Sequence, residues 1–436
     1  MTDEQKNARF ALAVLFGINL MNFFDRQIAG ALLEPIRVEF GMSDTASAAV
    51  NTAFTLIYAV AGVPLGRLSD TWHRTRVIAI GVTFWSVLTA TSGLAFGYWT
   101  YLFTRMGVGI GEASCAPAGQ ALIGDLYPAE RRARAMGIFM MGLPLGLFAS
   151  YLLSGAIAAA WGWRAAFFVA CLPGLILAVL ALRIREPARA ASQSAAQPAT
   201  RAFGVILRVP TMWWIILSGI LFNFHAYAVN MFQSAFLQRF HEVDLYTASK
   251  LSAFSLGLAG AVGLLVGGAL GDRLRVKIPN GRLLVAAVAM LCAAPCIYIA
   301  LEQPKGSVMP FTMLMAGSSA CTFVYYATVY SAIQDIVPSH LRATAVSVYF
   351  FAFYVLGAAI GPTIMGWLSD HMAKSAMFAA GASEMTNAFR ATGLHTAMYV
   401  MPVLVLLCAG SLFVAAKTVA KDMRRVQVGA TSQVSA

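Results

Sequence analysis

Charge is what this chain has least of. Only 11% of its 436 residues are Asp, Glu, Lys or Arg, where a soluble protein of this size carries about 25%. Hydrophobic residues make up 59% and the mean hydropathy is +0.71, which excludes an ordinary soluble domain. Cysteine is also scarce: Cys115, Cys171, Cys292, Cys296, Cys321 and Cys408 all fall inside apolar stretches. Cys292 and Cys296 share a helix face, but two thiols without further ligands make a poor metal site. All six are expected to be packing residues, and no metal or cofactor is expected. No nucleotide-binding loop is present, which argues against ATP-driven transport by this chain. His241-Glu242 has no second His four residues after the first, so the zinc-hydrolase pattern fails and no enzymatic activity is expected. Met1 to Arg9 is polar with no small-residue cleavage site after the first span, so no removable signal peptide is expected.

What remains is a series of apolar runs. Twelve spans are predicted near 9–33, 45–66, 77–96, 98–124, 133–160, 164–183, 209–237, 248–270, 282–301, 308–334, 342–368 and 393–417. Each is long enough to cross a bilayer as a helix, and none shows the alternation of a β-barrel strand. The net charge of +12 follows this topology and does not point to nucleic acid. With the N-terminus inside, most Lys and Arg fall on cytoplasmic segments. Arg37, Arg164, Arg239, Lys250, Lys305, Lys374 and Arg390 fall outside, and Arg26 and Arg105 lie within spans. This positive-inside bias places both termini in the cytoplasm of a plasma (inner) membrane.

The chain repeats itself. Residues 184–208 are the one long polar stretch, rich in Ala, Ser, Pro and Arg, and read as a cytoplasmic linker between halves 1–183 and 209–436. Asp125-Leu-Tyr-Pro128 through Arg132 to Ala135 aligns with Asp335-Ile-Val-Pro338 through Arg342 to Ala345. Gly66-Arg-Leu68-Ser-Asp70 aligns with Gly268-Ala-Leu270-Gly-Asp272, and Leu20-Met-Asn22-Phe23 with Leu221-Phe-Asn223-Phe224. Parallel six-helix repeats characterise one large transporter fold. The predicted architecture is therefore an all-α polytopic membrane protein of two pseudo-symmetric six-helix bundles, with a cytoplasmic tail.

Gly62 through Gly66-Arg-Leu-Ser-Asp70 to Arg74-Thr-Arg76 resembles the signature loop of the major facilitator superfamily. Gly162-Trp163-Arg164 resembles the usual opening of its sixth helix. Asn22-Phe-Phe-Asp25-Arg26, Arg105 with Glu112-Ala113, Pro117, Asp125, Pro128 and Arg132-Ala133 together resemble the Spinster-like group, which includes lysolipid and sphingolipid transporters. The resemblance implies alternating access without catalysis, and a cytoplasmic gate involving Gly66, Asp70, Arg74, Asp125, Arg132, Asp272, Asp335 and Arg342. Gly142-Leu-Pro144 and Gly357 to Gly361-Pro362 resemble the elements that bend helices five and eleven during rocking.

Two stretches place charge inside the membrane. Asp25 and Arg26 lie in the first span, Arg105 and Glu112 in the fourth. An ionisable group there costs at least about 2.5–3.5 kcal/mol and usually marks an ion or substrate path. The repeat does not keep them: Asp25-Arg26 correspond to Ala226-Tyr227, Arg105 to Met315 and Glu112 to Thr322. That asymmetry puts the expected coupling site in the first half. Counting about 1.5 Å per residue from Phe10 and Tyr98 sets Asp25, Arg26 and Arg105 at one level and Glu112 two turns nearer the cytoplasm. Asp25 is therefore expected to pair with Arg105 in at least one state, with Glu112 extending the acidic path inward. Burial disfavours a carboxylate's charge and a nearby Arg favours it, so separating such a pair switches its protonation; Asp25 and Glu112 are the expected proton carriers. Arg26 and Arg105 stay charged and suit an anionic group on the substrate. Asn223, His225, Tyr227, Asn230, Tyr326 and Tyr330 on helices seven and ten are the expected neutral wall of the cavity. The substrate implied is amphipathic and anionic or zwitterionic, lipid-like, moved with protons by a monomer among membrane lipids. The alternatives are a small organic anion such as a sugar acid or aromatic acid, and a sensor that binds without transporting.

Overall fold

The computed structural model describes residues 2–187, 204, 206–337 and 341–434. The expected linker falls mostly at 188–203, outside the described residues. Among the described residues the chain is helical, and eleven helices are long and apolar enough to cross a membrane.

The first part contains α1 (Asp3–Ala31), α2 (Leu33–Glu39), α3 (Asp44–Thr71), α4 (Arg74–Ser92), α5 (Tyr98–Glu112), α6 (Cys115–Leu126), α7 (Ala129–Met140), α8 (Gly142–Trp161) and α9 (Trp163–Ala181). Then follow α10 (Pro210–Phe240), α11 (Leu245–Ser252), α12 (Ala259–Lys277), α13 (Gly281–Leu301), α14 (Val308–Asp335), α15 (Arg342–Phe353), α16 (Ile360–Ala379), α17 (Asn387–Met398) and α18 (Val400–Val434). Six-residue π-helical segments, Ala253–Leu258 and Tyr354–Ala359, join α11 to α12 and α15 to α16. Such segments are rare and concentrate at functional sites.

Among the described residues the fourth predicted span contributes no helix to those eleven. It divides into α5 and α6 immediately after Glu112. Pro117 explains the break: it has no N–H to offer the carbonyl of Ala113, and its ring crowds that turn. Ser114 Oγ bonds the Gly111 carbonyl at 2.8 Å and takes up one of the freed acceptors. The first span also differs in extent. It begins at Asp3, where Thr2 and Gln5 form a capping box, so Phe10 lies two turns inside the helix.

The described residues of Met1–Ser192, with Asn230–Leu258 and Pro362–Leu394, form one compact unit; those of Gln193–Val229, Ala259–Gly361 and His395–Ala436 form a second. The second repeat thus contributes to both, and the division at 184–208 is one of sequence repeats. In the first unit, Leu15, Ile18, Ile78, Val82, Trp85, Val108, Leu122 and Phe139 belong to one buried core shared by α1, α4, α5, α6 and α7.

Small residues set how close these helices come. A Cβ on Gly111 would lie 2.8 Å from Trp85 Cβ and 2.9 Å from its backbone nitrogen, so α5 meets α4 backbone to backbone only because the residue is Gly. Nothing lies within 4 Å of a Cβ on Gly62. Gly111→Ala is therefore expected to destabilise by about 1–3 kcal/mol through overpacking, while Gly62→Ala stays near the parent. Thermal unfolding of the two variants in detergent checks this contrast.

Candidate functional site

The four charged residues of spans one and four lie in one place. Asp25 and Glu112 are 0% exposed, Arg105 2% and Arg26 5%. The side chains of adjacent helix residues point about 100° apart, so Asp25 and Arg26 face different neighbours. Arg26 turns toward α3 and α5. Its Nε and Nη2 donate to Glu112 Oε2 at 3.3 and 3.1 Å, and Nη2 reaches Asn22 Oδ1 at 3.5 Å. Its guanidinium lies over the rings of Tyr58, Phe23 and Phe54, at 4.4, 5.3 and 5.5 Å from their centroids. Cation–π contact of this kind is worth most where water is excluded.

In this structure Asp25 and Arg105 are neighbours whose side chains are not hydrogen-bonded to each other. The ion pair is Arg26–Glu112 at 3.1 Å. Arg105 Nη2 donates instead to the backbone carbonyl of Asp25 at 2.8 Å, and its guanidinium lies 5.4 Å from the Phe54 centroid. The depth estimate brought the right residues together but counted height along the helix and not direction around it. Arg26 spans the height difference because its side chain is long. The Asp25 carboxylate makes no well-formed hydrogen bond; the Trp85 indole is the donor beside it, and Arg105 and Glu112 are its charged neighbours. Glu112 Oε1 and Arg105 Nη1 are likewise buried without a partner. Two carboxylates and two guanidiniums balance in charge, yet three of the four carboxylate oxygens have no arginine bonded to them.

The residues expected to form a neutral wall divide between the two units. In the second, Tyr326 and Tyr330 pack edge to face at 5.7 Å, and Tyr326 also meets Phe222 and Phe323. Tyr227 is an electrostatic neighbour of Tyr330. Behind them, Ser218, Tyr325 and Tyr349 form a hydroxyl chain with contacts of 2.8 and 3.0 Å. Asn223 is buried and donates to Gly219 O at 2.8 Å, leaving its Oδ1 unpaired; His225 is buried with Nδ1 unpaired. Asn230 belongs to the first unit, where its carbonyl accepts the Tyr151 hydroxyl.

The signature residues behave as two sets. Arg74 pairs with Asp125, and the backbone N–H of Arg74 donates to Glu186 Oε1 at 2.9 Å, which caps α4. Arg132 Nε reaches the Tyr127 carbonyl at 3.4 Å. Gly66 faces Pro117 across ordinary van der Waals distance. In the second unit Arg282 bridges Asp272 and Asp335, each at 2.8 Å, and Arg275 adds a contact of 3.3 Å to Asp335. The side chains of Asp70 and Arg342 lie outside the described residues.

A second buried charge cluster was not expected from the sequence. It lies at the end of the first unit where α1 stops and α3 starts. Arg239 grips Asp44 through two bonds of 2.8 Å and Glu34 through one of 2.7 Å. Arg37 also holds Glu34, at 2.6 Å. Ser369 donates to Asp44 at 2.7 Å, and Asp370 accepts from the backbone N–H groups of Asp44 and Thr45 at the start of α3. That is where the helix dipole favours an anion. Burial acts to raise the Glu34 pKa, but the hydrogen bond and charge of Arg37 together with Arg239 hold it below its ordinary value. Arg37 and Arg239 looked like topology markers because nothing in a single sequence shows that loop charges from distant segments meet.

These features match known proteins. A family model described as Major Facilitator Superfamily covers residues 15–362, and the chain belongs to that superfamily of membrane transporters. Within it the chain is Spinster-like. It is 29% identical over 373 residues to an "MFS-type efflux pump" of Mycolicibacterium smegmatis, covering 84% of this chain and 86% of that one. It is 29% identical over 398 residues to "Protein spinster homolog 1" of Homo sapiens, covering 84% and 73%. A solved structure of a bacterial homolog to the human lysosomal transporter Spinster, inward-facing and unoccupied, superposes with a TM-score of 0.84 at 27% identity, covering 95% of this chain and 98% of that one. A D-xylose-proton symporter shares the fold, at a TM-score of 0.65 and 17% identity.

Removing one member of a buried ion pair strands the other charge, at about 3–5 kcal/mol, whereas replacing both with apolar residues is often neutral. Arg26→Met is therefore expected to destabilise strongly, and Arg26→Met with Glu112→Leu to recover most of the loss. SDS unfolding in mixed micelles, run as a double-mutant cycle, measures the coupling.

Proposed function

We propose that this protein is a proton-coupled secondary transporter that moves an amphipathic anionic or zwitterionic, lipid-like solute by alternating access. The observation that carries this reading is the buried set Asp25, Arg26, Arg105 and Glu112, in which one carboxylate has no arginine bonded to it and the other is held by a guanidinium lying on aromatic rings. A charged group kept in an apolar bundle at this cost is best explained by work that needs the charge. In this reading Asp25 and Glu112 carry the proton. When an anionic head group takes Arg26 or Arg105, Glu112 loses its counter-charge and binds a proton. Solute and proton then cross together, or exchange, through one pair of groups.

Tyr227, Tyr326 and Tyr330 supply an aromatic surface for the apolar part, with Asn223, His225 and Asn230 as polar contacts. The names of the relatives, an efflux pump and a lysosomal transporter homolog, support transport. The Arg74–Asp125 pair and the Arg282–Asp272–Asp335 set act as gates at the cytoplasmic ends, together with Gly66, Asp70, Arg132 and Arg342. The Asp44–Arg239–Glu34 cluster then lies outside and latches that side. The protein works as a monomer in the bacterial inner membrane, with both termini cytoplasmic and the two sequence halves, 1–183 and 209–436, as the rocking repeats.

One observation favours the second reading, a small organic anion. Helices five and eight pack tightly where a lipid would have to pass between them. A Cβ on Gly257 would meet the Phe148 backbone at 2.5 Å, and one on Gly155 would meet Ser249 Cβ at 2.3 Å. Proteoliposomes containing a pH dye, challenged in turn with a lysophospholipid, a sugar acid and an aromatic acid, separate the readings. One of these is expected to drive proton flux in the parent, and the flux is expected to vanish in Asp25→Asn and Glu112→Gln. Full flux in both variants would remove these residues from coupling.

A further inference from the structure

Among the described residues, the interior of the first bundle keeps a group of buried polar atoms without well-formed hydrogen bonds, the Trp85 indole and the Asp25 carboxylate being neighbours. They are both carboxylate oxygens of Asp25, Nε1 of Trp85, Oγ of Ser86, Oγ1 of Thr89, Oη of Tyr101 and Nη1 of Arg105. None of these residues is more than 3% exposed. An unpaired buried donor or acceptor costs about 1–3 kcal/mol, and native structures normally meet such groups with ordered water.

Their order along the helices is regular. Thr89 is one turn from Trp85 on α4, and Tyr101 is one turn from Arg105 on α5. The two helices run antiparallel, with Trp85 against Gly111 and Leu88 against Gly107. From Asp25, both turns lead toward the end where α2 lies. There the Tyr101 ring meets Phe40, Trp163 and Phe167. On the remaining side, Ser86 lies against Gly174 of α9, and Cys171 of α9 is an electrostatic neighbour of Asp25. The file is thus enclosed by α1, α4, α5 and α9. Arg26, Tyr58 and the Glu112 oxygen that Arg26 holds are on the other face of α1.

We propose that this file holds ordered water and delivers the proton to Asp25 through the interior of the bundle, from the end where α2 lies. This rests on the proton-coupled reading above. Each water accepts a proton from one neighbour and passes another onward, and the Tyr101 and Thr89 hydroxyls relay it in the same way, so no covalent bond other than O–H is made or broken. The groups that face Asp25 are Trp85 from α4, Arg105 and Glu112 from α5, and Cys171 from α9. Of these, Glu112 is the other carboxylate, and Arg26 holds it.

Infrared spectroscopy of the reconstituted full chain tests the route with deuterium oxide as the probe. The difference between the parent and Asp25→Asn, followed from pH 5 to 8, identifies the protonated Asp25 carboxyl band. Its hydrogen–deuterium exchange rate is then timed. Tyr101→Phe and Thr89→Val are each expected to slow the exchange at least tenfold, with Thr89→Ser, which keeps the hydroxyl, at the parent rate. Exchange at the parent rate in both Tyr101→Phe and Thr89→Val would overturn the route and leave the proton-coupled reading standing. Absence of any protonated Asp25 band across the range would remove Asp25 as a carrier and the route with it.

Discussion

Four charges inside one apolar bundle have to neutralise one another, and most of the first unit is arranged around that constraint. Moving a single carboxylate or guanidinium out of water carries a penalty of several kcal/mol. Arg26 and Glu112 meet this by pairing at 3.1 Å. Phe23, Phe54 and Tyr58 then cover the guanidinium with ring faces, which supply negative potential without adding a charge. Arg105 contributes the second positive charge but spends its bond on a backbone carbonyl, so Asp25 is neutralised through space and not through a hydrogen bond.

The packing follows from the same demand. To bring Glu112 and Arg105 against α1, helix α5 must approach α3 and α4 closely, and Gly109 and Gly111 face Phe54 and Trp85. The helix ends directly after Glu112, where Pro117 breaks the backbone ladder. A broken helix beside a buried carboxylate recurs in transporters, where freed backbone groups are tolerated only if they line polar interior. The cluster of Asp44, Arg239, Glu34 and Arg37 obeys the same rule with every carboxylate bonded. The contrast is informative. One buried cluster is closed and holds segments together, and the other has unused bonding capacity.

Much of this was legible in the sequence, and the reasons are physical. The spans, the repeat and the signature loop are carried by composition and spacing, which survive without any knowledge of packing. The asymmetry between Asp25-Arg26 and Ala226-Tyr227 pointed to the first half, where the four charges are in fact together. Their pairing was not legible, because height follows from residue number while direction also depends on which neighbour each helix face meets. That Trp85 and Tyr58 meet these charges was not legible for the same reason. Arg239 and Asp44 are separated by 195 residues, and no local pattern links an arginine at the end of one span to the cap of another.

The central claim is that Asp25 and Glu112 exchange protons with solvent when solute engages the neighbouring arginines. Calorimetry of solute binding in buffers of different ionisation enthalpy measures that exchange directly, as protons taken up or released per solute bound. The account predicts a measurable proton count for the parent and none for the Asp25→Asn, Glu112→Gln double variant with binding retained. An unchanged proton count in the double variant would contradict it.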